Sequence, residues 1–593
     1  MHRKVAEYEI CSNVTPLFDA VRNNNVEQVQ KSLSYAGIYD SMGMTALMHA
    51  ARHNYLDIVK VLEPLEGHLE GPRGETVLMH AAECGAFETS QYILSFQGYI
   101  KSDKLPGNCL KNAMLAGEVQ CAELFYENEK DILEITPLMW AAFVGNIPVV
   151  QEEILLKDNL RKRTCDGYTA LMFAACSNQT QAIELLLPYE ATLRDDSEET
   201  ALMHAAQNSS ISAAHLLVER EIGLSTKLGN TALYIAAAQG CVEIVKMTME
   251  QEHSILFNGF SALYIAADGG HLDCVKILIQ YLDKFKKSSD TGLSGAAASG
   301  HTEIVKFLIP YEAKVRVDGD GTTALMYAAQ NNQIKCVRML KDYELGLVNN
   351  SGLTALSMAA MNGSSKIVSL LIDELSVITE DVVSPLEMCF SSNNFEPISL
   401  LLPREKDRVG ANNLMVYACT GRREAMRQLR PMLLQQQDLG GRTALMYAVI
   451  GKQLNCAKDL LAESRITDNE GRTALMYAVF LEPDECLPFL KLLTGLTGVQ
   501  DESGETALIK AASVSNHIAV KYLAQYERRM VSKDGDTALL VAARTDAYKC
   551  VEYLLEEADI VDQFGSTALE NAESYGGYNV YQMLKNSQRA LIM

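Results

Sequence analysis

The sequence predicts an all-α solenoid of about 19 stacked turn-helix-turn-helix units, each of about 31 residues, running as one array over residues 1–593. Three observations predict it. The phrase TALM, or a close variant, recurs along the chain at spacings of 28 to 33 residues. Glycine or asparagine falls at fixed distances on either side of that phrase. Apolar residues at helical spacing complete each unit.

The units begin at Thr15, Thr45, Thr76, Thr136, Thr169, Thr200, Thr231, Thr323, Thr354, Thr443, Thr473, Thr506, Thr537 and Thr567, with weaker copies at Asn108, Ser261, Thr291, Ser384 and Asn413. Each opens on a tight turn. Twelve units carry Gly two places before the anchor, as at Gly43, Gly74, Gly167 and Gly229, where positive φ is available without steric cost. The anchor hydroxyl serves as N-cap for the first helix, and Pro follows Thr15, Thr136 and Ser384 at the position a helix start tolerates. Small residues in "ALMHAA" allow the next unit to approach closely. Nine places after the anchor, 13 units have Gly or Asn (Asn54, Gly85, Gly145, Gly240, Asn332), residues that accept a left-handed turn. A second helix follows with apolar residues such as Ile58, Val59 and Leu62. Each unit is too small to bury its own apolar faces and must stack on its neighbours. Residues 1–14 are expected as an N-terminal cap and 567–593 as the C-terminal capping repeat, with 100–135 and 384–430 degenerate.

The units "GNTALYIAAAQGCVEIVKMTM" (229–249) and "GFSALYIAADGGHLDCVKILI" (259–279) resemble the ankyrin-repeat pattern Gly-x-Thr-Pro-Leu-His-x-Ala-Ala-x-x-Gly-His. The resemblance covers essentially the whole chain. It implies non-catalytic protein binding through the concave face and turn tips. The family's His after Leu becomes Met in eight units, as at Met48, Met79, Met172 and Met446. Its Gly after the second helix becomes Glu in nine: Glu66, Glu129, Glu190, Glu221, Glu252, Glu312, Glu344, Glu405 and Glu527. Pro64, Pro188, Pro310 and Pro403 precede that position by two and are expected to end the second helix early. The TALM…LxPxEA form is similar to ankyrin-only families expanded in some parasitic protists.

Composition bounds function. A net charge of −23 disfavours nucleic acid, which needs a basic face. No stretch approaches 18 uninterrupted apolar residues and the N-terminus lacks a signal-peptide core, so a cytoplasmic protein without membrane insertion is expected, with the nucleus and a cytoskeletal association left open. The 14 cysteines are then reduced thiols, none in a Cys-x-x-Cys pair.

Residues that look chemical share their slots with residues that are not. His49, His80 and His204 occupy the slot held elsewhere by Trp140, Phe173, Ile235, Ile265, Tyr327, Tyr447 and Tyr477, which reads as semi-buried packing rather than a metal or catalytic position. Cys121, Cys274, Cys336, Cys456, Cys486 and Cys550 share a slot with Ile58, Val149, Ala182 and Ile304 and read as small core residues. The Glu row reads as connector capping that also leaves an acidic edge; a ligand stripe for cations or a basic partner is the alternative. Residues 404–430 gather Arg404, Lys406, Arg408, Arg422, Arg423, Arg427 and Arg430 against Glu405, Asp407 and Glu424, either a docking patch or solvated drift. Phosphate-loop, dinucleotide, zinc-protease and serine-hydrolase motifs are missing, so no enzyme, cofactor or metal is expected.

The expected function is a protein-protein interaction scaffold or adaptor. Its contacts are assigned to turn tips and first-helix ends: Met44, Arg52, His53, Tyr168, Phe260, Arg442 and Arg472, with Arg422, Arg423 and Arg427 from the basic segment. An architectural cytoskeletal spacer and a regulatory subunit of an enzyme are the alternatives.

Overall fold

Most repeats start from one backbone capping event, although the hydroxyls of Thr15, Thr169 and Thr200 make no such bond. The Thr45 hydroxyl accepts the Met48 amide at 3.3 Å, and Thr136 and Thr231 do the same for Met139 and Tyr234 at 3.2 Å, so an orphan donor of the first turn is satisfied. Gly43 sits at φ +77° before that cap, and Gly145 at φ +78° closes the first helix. The result, in a computed structural model that describes residues 15–97, 108–284, 290–316, 320–376 and 382–592, is a succession of 38 α-helices and six 3-10 helices. The helices pair into the 19 expected units, with no strand among the described residues. The proposed N-terminal cap at 1–14 lies outside the described residues.

First helices stack through alanines: Ala46, Ala50 and Ala51 are buried, as are Ala201, Ala205 and Ala206. Second helices contribute the rest of the core, for example Ile58, Val59 and Leu62. The six cysteines thirteen places after their anchors are all buried, and burial pushes the Cys121, Cys274 and Cys550 thiols up to about 12. They act as small core residues.

The Glu row departs from its expected acidic edge, because the carboxylates are buried. Glu66 accepts the Leu47 amide of its own repeat at 2.7 Å and the Gly37 amide of the preceding connector at 2.8 Å. Glu190, Glu221, Glu252, Glu344 and Glu527 repeat this two-sided arrangement. Glu374, Glu463 and Glu557 join the row in repeats whose second α-helix gives way to a 3-10 turn that carries the Glu one residue nearer the first helix. Burial raises the Glu190 and Glu221 carboxyls, and the amides that bond them pull back. The early helix end expected at proline is likewise corrected. Pro64, Pro188, Pro310 and Pro403 lie inside helices that continue to the Glu, as in Leu56–Glu66 and Thr180–Glu190. Docking of the Glu side chain on the first helix holds the final turn in place although Pro removes one amide.

The described residues form two compact bodies, one reaching Glu312 and the other comprising Ala313–Arg316 and Asp320 onward. Each contains a place where the simple order of neighbours changes, and each coincides with a degenerate segment. In the first body the helix Asn108–Leu115 packs on Val77–Glu83 and also on Ala170–Cys176, past the repeat that begins at Thr136. Lys111 Nζ reaches Asp166 at 2.8 Å, and the Asn208 side-chain amide donates to the Leu115 carbonyl at 2.7 Å, three repeats on. In the second body the Phe390 ring meets Tyr447 at 5.9 Å, and Phe395 meets Tyr477 at 5.3 Å and Phe480 at 5.4 Å. Lys452 Nζ bridges Glu396 at 2.6 Å and Glu485 at 2.8 Å. One slot is unusually bulky at both places, although Val21, Val449 and Val479 show that it need not be alanine elsewhere. The position six after the anchor is alanine at Ala51, Ala82, Ala206, Ala329 and Ala543, but it is Met114 and Phe390 here. A bulky side chain in the close-approach slot changes which helix can pack against it.

Candidate protein-docking surface

In many of the described repeats the turn before the first helix is a hairpin finger built by the residue five places before the cap. Asp195 Oδ1 accepts the Glu199 amide at 2.9 Å, Asp438 Oδ1 the Arg442 amide at 2.7 Å, and Asp468 Oδ1 the Arg472 amide at 2.8 Å. Neighbouring fingers are joined by backbone bonds, including Asn258 to Leu228 and Leu439 to Val409, each at 3.0 Å. This geometry turns the residue just before the cap inward and leaves the residues three and four before it at the tip.

The tip positions assigned from sequence are therefore two places too late. Met44 is buried, and Arg442 and Arg472 are only 5% and 8% exposed. Arg442 Nε donates to Asp438 Oδ2 at 2.8 Å and its guanidinium lies 3.5 Å from the Phe390 ring centre. Arg472 Nε donates to Asp468 Oδ2 at 2.7 Å. These groups support the fingers from inside and are corrected from docking residues to structural ones. The outward positions belong to Met42, Leu228, Leu439 and Phe564, exposed by 52%, 61%, 69% and 82%. The sequence carried a signal for this in the Gly that recurs two places before the cap, whose positive φ reverses the side-chain direction.

The histidine slot is tied to the same fingers. His49 Nε2 lies 2.8 Å from Asp40 and His204 Nε2 2.9 Å from Asp195, while Tyr447 and Tyr477 hydroxyls donate to Asp438 and Asp468 at 2.7 Å. The slot thus does more than pack: it clamps the finger to its helix.

The other assigned residues are distributed as follows. Tyr168 is half-buried, its ring against Phe173 and His204, and Phe260 is half-buried against Tyr264. Arg52 Nη1 lies 3.6 Å from Glu83, and exposed His53 stacks on Tyr55 at 5.3 Å. In the basic segment Arg423 and Arg427 converge on Asp459 of the next repeat, each with Nε at 2.8 Å. They hold its carboxyl far below the usual carboxylate range. Arg408 pairs with Glu405 at 3.1 Å. Much of the segment's positive charge is therefore paired by its own carboxylates and by Asp459 of the next repeat; exposed Arg422 lies over the Tyr417 ring at 5.9 Å.

Comparison with known proteins agrees with this geometry. The family described as "Ankyrin repeats (3 copies)" matches residues 4–68, 110–195, 138–227, 182–255, 202–290, 248–316, 263–346, 414–494 and 485–564. The gaps in this coverage, 69–109 and 347–413, adjoin or include the helices whose packing order changes. The probable E3 ubiquitin-protein ligase XBOS32 of Oryza sativa subsp. japonica is 26% identical over 199 residues, which cover 30% of this chain and 39% of that protein. The chain thus spans about two-fifths of that relative's length. No helix among the described residues is long and apolar enough to cross a membrane. With the family pattern matched over most of its length and its helix pairs stacked unit upon unit, the chain belongs to the ankyrin-repeat proteins, a family of protein-interaction modules.

Proposed function

We propose that the chain is a non-enzymatic scaffold or adaptor that works in the cytoplasm and binds protein partners through its finger tips and the concave, first-helix side of the array. One observation carries the reading. Met42, Leu228, Leu439 and Phe564 project large apolar side chains into solvent from tip positions three or four places before the cap, while the polar groups beneath them are spent on holding the fingers rigid. Exposed apolar anchors on a rigid frame are what a protein interface uses for its centre. His53, Tyr168, Phe260 and Arg422 supply the flanking contacts in this reading.

The test is affinity capture from the native cell with the intact chain, compared with the combined variant Met42→Ser, Leu228→Ser, Leu439→Ser and Phe564→Ser. Loss of specific partners with an unchanged circular-dichroism melt is expected. Identical partner recovery by both forms overturns the assignment to the tips. A second reading follows from the likeness to a probable ubiquitin ligase: the array recruits substrates for a ubiquitin-transfer assembly. Ubiquitin-conjugate profiling of the captured proteins distinguishes it, since an adaptor outside that system leaves their modification unchanged.

A further inference from the structure

We propose that Asp195, Glu199 and His204 form a binding site for one divalent cation of the zinc type at the base of a single finger. One ligand atom from each of the three side chains can be chosen so that all lie within 4.8 Å of one another. Asp195 Oδ1 is fixed by the Glu199 amide at 2.9 Å, which leaves Oδ2 facing His204 Nε2 at 2.9 Å. Glu199 Oε1 is held by the Asn230 side-chain amide of the next repeat at 3.0 Å, which leaves its second oxygen for the cluster. Asp195 and His204 are buried and Glu199 is half-buried, so the site is firm beneath and open at its rim.

The other repeats point independently to a cation at this place. The same three slots hold Asp501, Glu505 and Lys510 in a later finger, where Lys510 Nζ sits 2.6 Å from both Asp501 Oδ2 and Glu505 Oε2. They hold Asp438, Arg442 and Tyr447, and Asp468, Arg472 and Tyr477, in two more, each with a guanidinium nitrogen within 2.8 Å of the Asp. A fixed ammonium or guanidinium thus answers the buried Asp in these fingers. The finger at Asp195 carries two carboxylates, as the Lys510 finger does, but the third slot holds an imidazole. Nearby Arg194 is turned away, its Nη1 donating to the Glu198 and Ser225 carbonyls. Two carboxylate oxygens and one imidazole nitrogen are a common donor set for zinc at about 2.0–2.2 Å, with a fourth position for water. Opening the Asp195–His204 contact by a few tenths of an ångström, with the Glu199 oxygen drawing in from within 4.8 Å, brings all three towards the roughly 3.3 Å between ligands of a tetrahedral ion and admits the metal.

The slot comparison that argues against chemistry at the other histidines does not apply here. His80 has Gly71 and Glu75 in the companion slots, and His49 has Asp40 and Met44, so only His204 meets two acidic partners. Bound metal would pin the finger at 195–199 to the helix Ala201–Gln207 and stiffen the surface around Tyr168, whose ring lies against His204.

The repeats also supply the controls. His204→Lys recreates the Asp-Glu-Lys set of the Lys510 finger, and Glu199→Arg with His204→Tyr recreates the set of the Arg442 and Arg472 fingers. Full-length chain is stripped with chelator, titrated calorimetrically with zinc chloride, and assayed for metal content after dialysis. Wild type is expected to retain one more equivalent of zinc than either variant and to melt higher with zinc, while both variants fold and show no such gain. Cobalt substitution adds a spectroscopic readout: visible d–d bands without thiolate charge transfer in wild type, lost in the variants. Equal zinc retention by wild type and the folded variants overturns the site. So does a cobalt spectrum dominated by thiolate, which places the metal on cysteine.

Discussion

The Glu221 carboxylate joins two repeats: one oxygen accepts the Leu202 amide at 2.7 Å and the other the Thr192 amide of the preceding connector at 3.0 Å. The Leu202 donor and the carboxylate lie where water has little access, since Leu202 and Glu221 are almost wholly buried, while Thr192 belongs to the exposed connector. Glu221→Ala leaves the two amides without acceptors and is expected to lower stability by about 2–4 kcal/mol. Glu219, two residues earlier and exposed, provides the control. Glu219→Ala is expected within about 0.5 kcal/mol of wild type. Urea titrations followed by circular dichroism compare them, and similar midpoints for the two variants would remove the stapling role.

The row also makes stability depend on pH in an unusual direction. Burial pushes the Glu129 and Glu312 carboxyls up to about 7, from an ordinary 4.5, against the pull of first-helix amides. Between those values the folded chain binds more protons than the unfolded one, so these two groups add stability as pH falls from 7 towards 4.5. Each contributes at most about 3 kcal/mol over that window. Glu312→Gln is expected to flatten that part of the profile. The measurement is the difference in unfolding free energy between wild type and variant at pH 5 and pH 8. A difference that stays constant across the two pH values contradicts the assignment.

The fold was legible because period, cap and turn residues all point to one repeating unit. The direction of side chains within the finger was not, since it depends on how the positive-φ Gly at Gly441 or Gly471 reverses the chain. The Glu row was visible as a pattern, yet its exposure was misjudged: composition marks Glu as a surface residue, and only the stacked connector reveals two amides waiting for an acceptor. Met114 and Phe390 stood in plain view in an alanine slot. Their consequence became apparent only from the helices they reach.

Arg472 shows how a residue that looks like a docking anchor can be structural. It lies beside Asp468, which is itself buried and also accepts the Tyr477 hydroxyl at 2.7 Å. Arg472→Ala strips a buried carboxylate of its counter-charge, a change that typically costs about 3–5 kcal/mol. The expected result is a lower melting temperature together with raised hydrogen exchange in residues 464–478. A docking residue behaves otherwise, with unchanged melting and weakened partner capture. That outcome would return Arg472 to the surface assignment.

Phe395 tests whether the altered packing order in the second body carries stability over several repeats. Its ring is buried against Tyr477 and Phe480, which belong to a repeat three units further along the chain. In a simple stack each repeat contacts only its neighbours, so damage spreads outward one unit at a time. Phe395→Ala removes a large buried ring at a cost of about 3–5 kcal/mol, and here that cost is shared between distant units. Hydrogen exchange is expected to rise in 385–405 and in 474–481 together, more than in 413–419 between them. Lys452→Met, which breaks the bridge from Glu396 to Glu485, is expected to raise exchange in the same two segments by a smaller amount, because the ion pairs are partly exposed and screened. Exchange confined to the repeat of the substitution would mean that the rings touch without coupling the units they join.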